Sequence, residues 1–96
     1  MRMMMKVTVP VEAGNAAITS GMLPRVVAEA LERLKPEAAY FVPDGVRTAI
    51  IVFDLKDPSD MPGVAEPFFS AFNAGVSFTP VMNAEDLKKG LGALSK

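Results

Sequence analysis

The sequence predicts an α+β domain in which one four-stranded antiparallel sheet carries helices on one face. The first observation is residues 47–55, whose β-branched and aromatic residues are typical of a strand in the middle of a sheet. The second is an apolar stripe at helical spacing over residues 61–72, which must lie on a sheet. The third is the element order βαββαβ plus a terminal helix, which right-handed connections arrange with strand order 4-1-3-2.

Composition limits both the size and the partners of the protein. A chain of 96 residues forms one domain over residues 1–96, and its 50% hydrophobic content with 22% charged residues favours a hidden interface. We therefore expect a homodimer. A net charge of -1 offers no electrostatic footprint for nucleic acid or for an anionic membrane, so neither is expected as a partner.

Two residue types are missing from the sequence, and their absence limits the reactions and metal sites that the chain can support. The chain has no cysteine and no histidine, so thiol nucleophiles, thiolate metal sites and imidazole catalysis are excluded, and we expect neither a cofactor nor a metal. No run approaches the roughly 20 apolar residues of a membrane span. The first six residues lack the apolar core and cleavage site of a secretory signal, which favours the cytoplasm.

The first half of the chain predicts a strand, a broken helix and a hairpin. Residues 3–11 alternate as strand one, and Asn15 is placed to cap a helix that begins at residue 16 and runs to residue 34. Gly21 and Pro24 predict a break within that helix. Residues 38–42 form strand two, and the turn at residues 43–45 predicts a hairpin with residues 47–55.

The second half predicts a helix, an edge strand and a weak final helix. Ser59 or Asp60 is expected to cap helix 61–72, and residues 73–75 end it. Residues 76–82 form strand four, which Pro80 places at a sheet edge because proline cannot donate to a strand ladder. Asn83 caps a short helix that Gly90 weakens, so it must dock on its own sheet or on a partner.

This arrangement is that of a ferredoxin-like fold, and its central strand has two different faces. One face of residues 47–55 is wholly apolar and should carry the helices, whereas the other is too apolar for open water and too polar for a closed core. The second face is expected to meet a partner subunit or a small ligand. Its predicted residues are mixed in character: Met4, Lys6, Thr8, Tyr40, Thr48, Ile50, Val52, Asp54, Ser77 and Thr79.

A candidate ligand site lies on that second face. Because strand one runs antiparallel to strand three, Lys6 and Asp54 are expected to pair. The candidate ligand-binding residues are Lys6, Thr8, Tyr40, Thr48 and Asp54. In the functional interpretation Lys6 binds an anionic group that Tyr40 orients. In the structural interpretation, which we favour, the face is a dimer interface containing a satisfied ion pair.

Element order and several short stretches resemble the dimeric α/β-barrel superfamily, especially its short uncharacterised members. The stretches are residues 11–15 (Val-Glu-Ala-Gly-Asn), 35–41 (Lys-Pro-Glu-Ala-Ala-Tyr-Phe), 65–69 (Ala-Glu-Pro-Phe-Phe) and 81–87 (Val-Met-Asn-Ala-Glu-Asp-Leu). The resemblance implies two ferredoxin-like subunits whose sheets pack face to face. Relatives in this superfamily include quinol-forming monooxygenases, haem-handling enzymes and lactone isomerases, but their characteristic His finds no counterpart in this sequence.

Two hypotheses about function follow. The first is a homodimeric binding or interaction protein without demonstrated catalysis. The alternative is a small cofactor-free enzyme, monooxygenase-like or isomerase-like, that acts on a hydrophobic or anionic metabolite in a pocket between the sheet and its partner. An RNA recognition motif is disfavoured because aliphatic residues stand where strand three would carry stacking aromatics.

Overall fold

The computed structural model describes residues 1–95, and it has the predicted α+β organisation. Residues 1–95 contain four strands and four α-helices, with one 3₁₀ turn at Pro58–Asp60 before the third helix. In chain order, their bounds are β1 Arg2–Val9, α1 Val11–Thr19, α2 Met22–Leu34, β2 Ala38–Asp44, β3 Val46–Asp54, α3 Met61–Phe72, β4 Gly75–Pro80 and α4 Ala84–Ala93.

The four strands form one antiparallel sheet in the order β2-β3-β1-β4. This is the predicted order 4-1-3-2 read from the opposite edge, so β1 and β3 are central and β4, which ends in Pro80, is an edge strand as expected. The arrangement is consistent with a ferredoxin-like fold. No helix within residues 1–95 is long and apolar enough to cross a membrane.

The core lies between one face of the sheet and the helices α1 to α3. Alternate residues of β1 and β3 are buried on this face, which we call the covered face, and Met5, Val7 and Ile51 are almost completely inaccessible to water. Helix α3 contributes Phe68 and Phe72, which pack in a tilted pair, and β3 contributes Phe53. The apolar stripe predicted from residues 61–72 is therefore confirmed at Val64, Ala65, Phe68 and Phe72, whereas Phe69, which was predicted to belong to it, is exposed.

The start of the first helix differs from the sequence prediction. Strand β1 ends at Val9, and α1 begins at Val11 rather than at residue 16, with Pro10 in the N-cap position. The physical reason is the fixed backbone of Pro10, whose φ of -56° and ψ of 142° direct the chain out of the strand. Asn15 consequently lies inside α1, where its side chain accepts a hydrogen bond from Arg47 instead of capping the helix.

The predicted helix break is confirmed, and it separates α1 from α2. Gly21 adopts a left-handed conformation with φ of 78°, which glycine reaches without a steric penalty. Pro24 falls in the first turn of α2, where backbone N–H groups have no helical partner, so the helix tolerates it.

The caps of the later helices agree only in part with the prediction. Neither Ser59 nor Asp60 caps α3 through its side chain; the Asp57 carboxylate instead accepts from the Ser59 amide at the start of the 3₁₀ turn. Asn83 caps α4 as predicted and forms a reciprocal capping box with Asp86. Asn73 ends α3 in a left-handed conformation.

Helix α4 extends away from the rest of the domain. It has no buried residues, and Leu87, Leu91 and Leu94 are 47%, 55% and 79% exposed. The radius of gyration is 15.5 Å, whereas a compact chain of this length would have about 12.5 Å. The first turn of α4 is tied to its own sheet through the ion pair between Arg2 and Asp86, and the rest of the helix is not buried against that sheet within residues 1–95.

Candidate functional site

The second face of the sheet, which we call the open face, carries four of the five candidate residues close together. The register aligns Tyr40, Ile50, Lys6 and Ser77 in one row across the four strands. Side chains in one row point to the same side of a sheet, with neighbouring strands about 4.8 Å apart. Lys6 and Tyr40 therefore stand on either side of Ile50, with Cα atoms roughly 10 Å apart.

A second row completes this group. Thr48 pairs with Thr8 in the next row, so both threonines are neighbours of the Lys6 and Tyr40 row. Thr48 is buried and its hydroxyl donates to the Val46 carbonyl at 3.0 Å, which leaves that hydroxyl with a local structural contact. The side chains of Lys6 and Tyr40 are exposed, so they remain available to a partner.

The predicted pair between Lys6 and Asp54 is wrong. The register places Asp54 opposite Arg2 and Lys6 opposite Ile50, so the two residues are separated by four positions along the strand, about 13 Å. Alternation in the sequence predicted the right strands and the right face, but only the register determines which residues lie opposite each other.

Asp54 instead belongs to an ion-pair cluster at the end of the sheet. One carboxylate oxygen accepts from Lys56, and the other accepts from the Met1 amino group at 2.7 Å. The hydrogen bond from Lys56 is the main reason that the pKa of Asp54 falls from 3.8 to about 2, and the Met1 amino group adds to it. This cluster is exposed, so it does not line a buried ligand site and its contribution to stability is small.

The lowered pKa gives a testable dependence of stability on pH. The folded pKa lies below the unfolded one, so the pairing stabilises the fold above about pH 4 and is lost as the pH falls towards 2. We expect Asp54→Asn to lower the melting temperature slightly at pH 7 and to match the wild type near pH 2. Thermal unfolding followed by circular dichroism at several pH values measures this difference.

Asp44→Asn is the matched control for that experiment, because Asp44 is also exposed at a strand end but forms no ion pair within residues 1–95. Its melting temperature should follow the wild type at every pH. A gap between Asp54→Asn and the wild type that stays constant from pH 7 to pH 2 would contradict the assignment.

A second cluster connects the open face to α4. Arg2 donates to Glu37, which precedes β2, and to Asp86 in the first turn of α4 at 2.8 Å. The hydrogen bond to Glu37 is the largest cause that raises the pKa of Arg2. Because Arg2 lies on the open face, this contact holds the beginning of α4 at the rim of that face.

A cavity that the sequence does not predict lies on the covered face. It has a volume of about 440 Å³ and lies between α2, α3 and the β2–β3 hairpin, and we call it the helix-side cavity. Its walls are almost wholly apolar and include Leu23, Val27, Phe41, Ala49, Phe68 and Phe72. Arg47 and Thr48 also border it, but the Arg47 guanidinium donates to α1 and the Thr48 side chain lies on the open face. No sequence signal marked it, because its lining residues come from separate elements and each has the pattern of an ordinary core residue.

Two sequence comparisons supply no relative from which a function could be transferred. A comparison with models of protein families found no match, and a search among curated proteins found no similar sequence. The class of this protein is therefore defined by its fold alone, as an α+β domain consistent with the ferredoxin-like arrangement.

Proposed function

We propose that this chain is a homodimeric binding or interaction protein in which the open faces of two sheets pack against each other, as in the dimeric α/β barrels. The observation that carries the proposal is the character of the open face. Met4, Ile50 and Val52 form an apolar centre on the two middle strands, and no helix within residues 1–95 covers it. A monomer would leave these side chains in contact with water, at a cost proportional to their exposed apolar area.

Polar residues surround this apolar centre. Lys6 lies within it, and the threonines and Ser77 lie in neighbouring positions on β1, β3 and β4. An apolar centre with a polar surround is the usual anatomy of a subunit interface. At such an interface Lys6 would face the partner subunit, and Tyr40 supplies an exposed aromatic ring of the kind enriched at binding surfaces.

The extended helix α4 supports the same proposal. A ten-residue helix is marginal in water on its own, and each glycine in its interior costs roughly 1 kcal/mol relative to alanine. Its exposed leucines need an apolar surface, and Arg2 holds its first turn beside the open face. A second copy bound at the open face would provide that surface within reach of α4.

The mass of the wild-type protein in solution tests this proposal. We expect sedimentation equilibrium at micromolar concentrations to give twice the mass of the 10.2 kDa chain, with dissociation only on dilution. A protein that stays monomeric at these concentrations, with Ile50 and Val52 accessible to solvent in hydrogen exchange, would refute the homodimer.

The alternative function is a cofactor-free enzyme that acts on a hydrophobic metabolite between the two sheets. One observation favours it: Lys6 and Tyr40 share a row, with only Ile50 between them, so a ligand lying over Ile50 would reach both polar groups. This hypothesis also required Asp54 as a third polar group, but Asp54 pairs with Lys56 at the end of the sheet and does not lie beside Lys6.

Single substitutions test the enzyme hypothesis through the binding of a ligand. Lys6→Ala and Tyr40→Phe should each weaken the binding of a metabolite found by ligand screening. Thr79→Ala should not, because Thr79 is exposed in another row of the open face. Binding that survives both of the first two substitutions would exclude Lys6 and Tyr40 as the site.

A further inference from the structure

The helix-side cavity is an apolar space on the covered face of the sheet, beside the hairpin of β2 and β3. Its volume of about 440 Å³ falls in the usual range of small-molecule sites, roughly 300 to 1,000 Å³. Its lining comes from α2, α3 and three strands, so the space is concave, as small-molecule sites are. Phe41, from the edge strand β2, is 55% exposed, so the cavity opens to the surface beside the hairpin.

Two residues of β3 explain why the core does not fill this space. Ala49 lies between Val7 and Phe41 in one row across the covered face, and its side chain is only a methyl group. The next covered-face position towards the hairpin is Arg47, whose guanidinium is directed onto α1 instead of into the cavity. The space between α2 and the hairpin therefore receives little side-chain volume from β3.

No polar side chain within residues 1–95 is placed to bind a ligand in this cavity. The Arg47 guanidinium donates to the Val11 carbonyl at 3.4 Å and to Asn15 Oδ1 at 3.0 Å, and no residue of α1 lines the cavity. Thr48 lies with its side chain on the open face, where its hydroxyl donates to a carbonyl of its own strand. A charged ligand would thus lose its hydration in the cavity without gaining a partner, whereas a neutral molecule matches the uncharged walls.

We propose that the helix-side cavity binds a small neutral apolar molecule, whose hydrocarbon body packs between Leu23 and Val27 of α2 and Phe41 of β2. Water against such walls has almost no hydrogen-bonding partner on the protein, so an apolar molecule that displaces it gains free energy in proportion to the apolar area removed from water. Phe41 favours a ligand with a ring, because aromatic pairs pack edge to face or offset. The proposed homodimer uses the opposite face of the sheet, so this site is independent of it.

Three probes of matched shape test the chemistry of the ligand. Butylbenzene, 4-butylbenzoate and 4-butylbenzylammonium are titrated at neutral pH into the full-length ¹⁵N-labelled protein, and amide shifts are followed by NMR. We expect butylbenzene to bind at least about tenfold more tightly than either ion, because each ion must give up hydration of its charge. The largest shifts should lie at the amides of Leu23, Val27 and Phe41.

Paired variants test the position of the site. Val27→Phe and Ala49→Leu fill the cavity from different walls, and each should weaken the binding of butylbenzene at least about tenfold. Ala28→Phe adds the same ring at the next position of α2, which is exposed and outside the cavity, and should leave the affinity unchanged. Circular dichroism verifies that each variant is folded, and the second filling variant keeps the test valid if the first does not fold.

Distinct results would overturn the proposal. Equal affinity for butylbenzene and either ion would refute a site for neutral ligands, and tightest binding of 4-butylbenzoate would mean that Arg47 faces the cavity. Unchanged affinity for butylbenzene in a folded Val27→Phe or Ala49→Leu variant would place the ligand elsewhere. No shifts with any probe up to its solubility limit would show that the cavity is not a ligand site but a space for packing or for another protein chain.

Discussion

Replacing Phe72 by alanine is expected to lower the free energy of unfolding by about 3–5 kcal/mol, the usual cost of removing a large aromatic ring from a core. Phe72 is 1% exposed and is the largest of the fully buried side chains. Its loss removes the ring that packs against Phe68 and enlarges the space beside the helix-side cavity, which the backbone of α3 cannot close by itself. Since the total free energy of unfolding of a small domain is about 5–15 kcal/mol, this one substitution removes much of the stability.

Phe69→Ala is the matched control, because Phe69 lies on the same helix but is 42% exposed. We expect it to cost about 1 kcal/mol, in proportion to its smaller buried area. Urea denaturation at one fixed protein concentration measures both variants, since dimerisation would make stability depend on concentration. Equal losses in the two variants would mean that α3 does not present Phe72 to the core.

The second large effect is expected at the open face. Ile50→Lys should weaken the proposed homodimer by roughly a hundredfold or more in dissociation constant, because a lysine would be buried at the centre of the interface beside the existing Lys6. In a monomer the same substitution exposes a charge on a solvated face, which the fold tolerates. Sedimentation equilibrium over a range of concentrations measures the change, and circular dichroism verifies that the chain is folded.

Ala28→Lys, on the exposed side of α2, is the matched control and should leave the dissociation constant unchanged. A folded Ile50→Lys variant with the same dissociation constant as the wild type would exclude the open face as the interface. The dimer would then have to form through another surface, and the exposed leucines of α4 would be the next to substitute.

Periodicity and backbone chemistry determined much of the fold. Alternation in β1 and β3 identified the face that carries the core, and the helical stripe identified the face of α3, because side-chain direction follows directly from the period of each element. Pro80 identified the edge strand since it lacks an N–H group, and Asn83 identified the start of α4 since its side chain satisfies a free amide. These are local properties, which residues carry in the sequence itself.

The tertiary structure alone decided the features that depend on register and on distant contacts. The register places Asp54 opposite Arg2, four positions along β1 from Lys6, and there Asp54 pairs with Lys56 and the Met1 amino group. No local pattern in the sequence encodes the register of two strands. The helix-side cavity and the contact between Arg47 and Asn15 arise where separate elements meet, so their residues have no common signal in sequence. The sequence by itself thus determined the elements and their faces, while packing decided which side chains form each site.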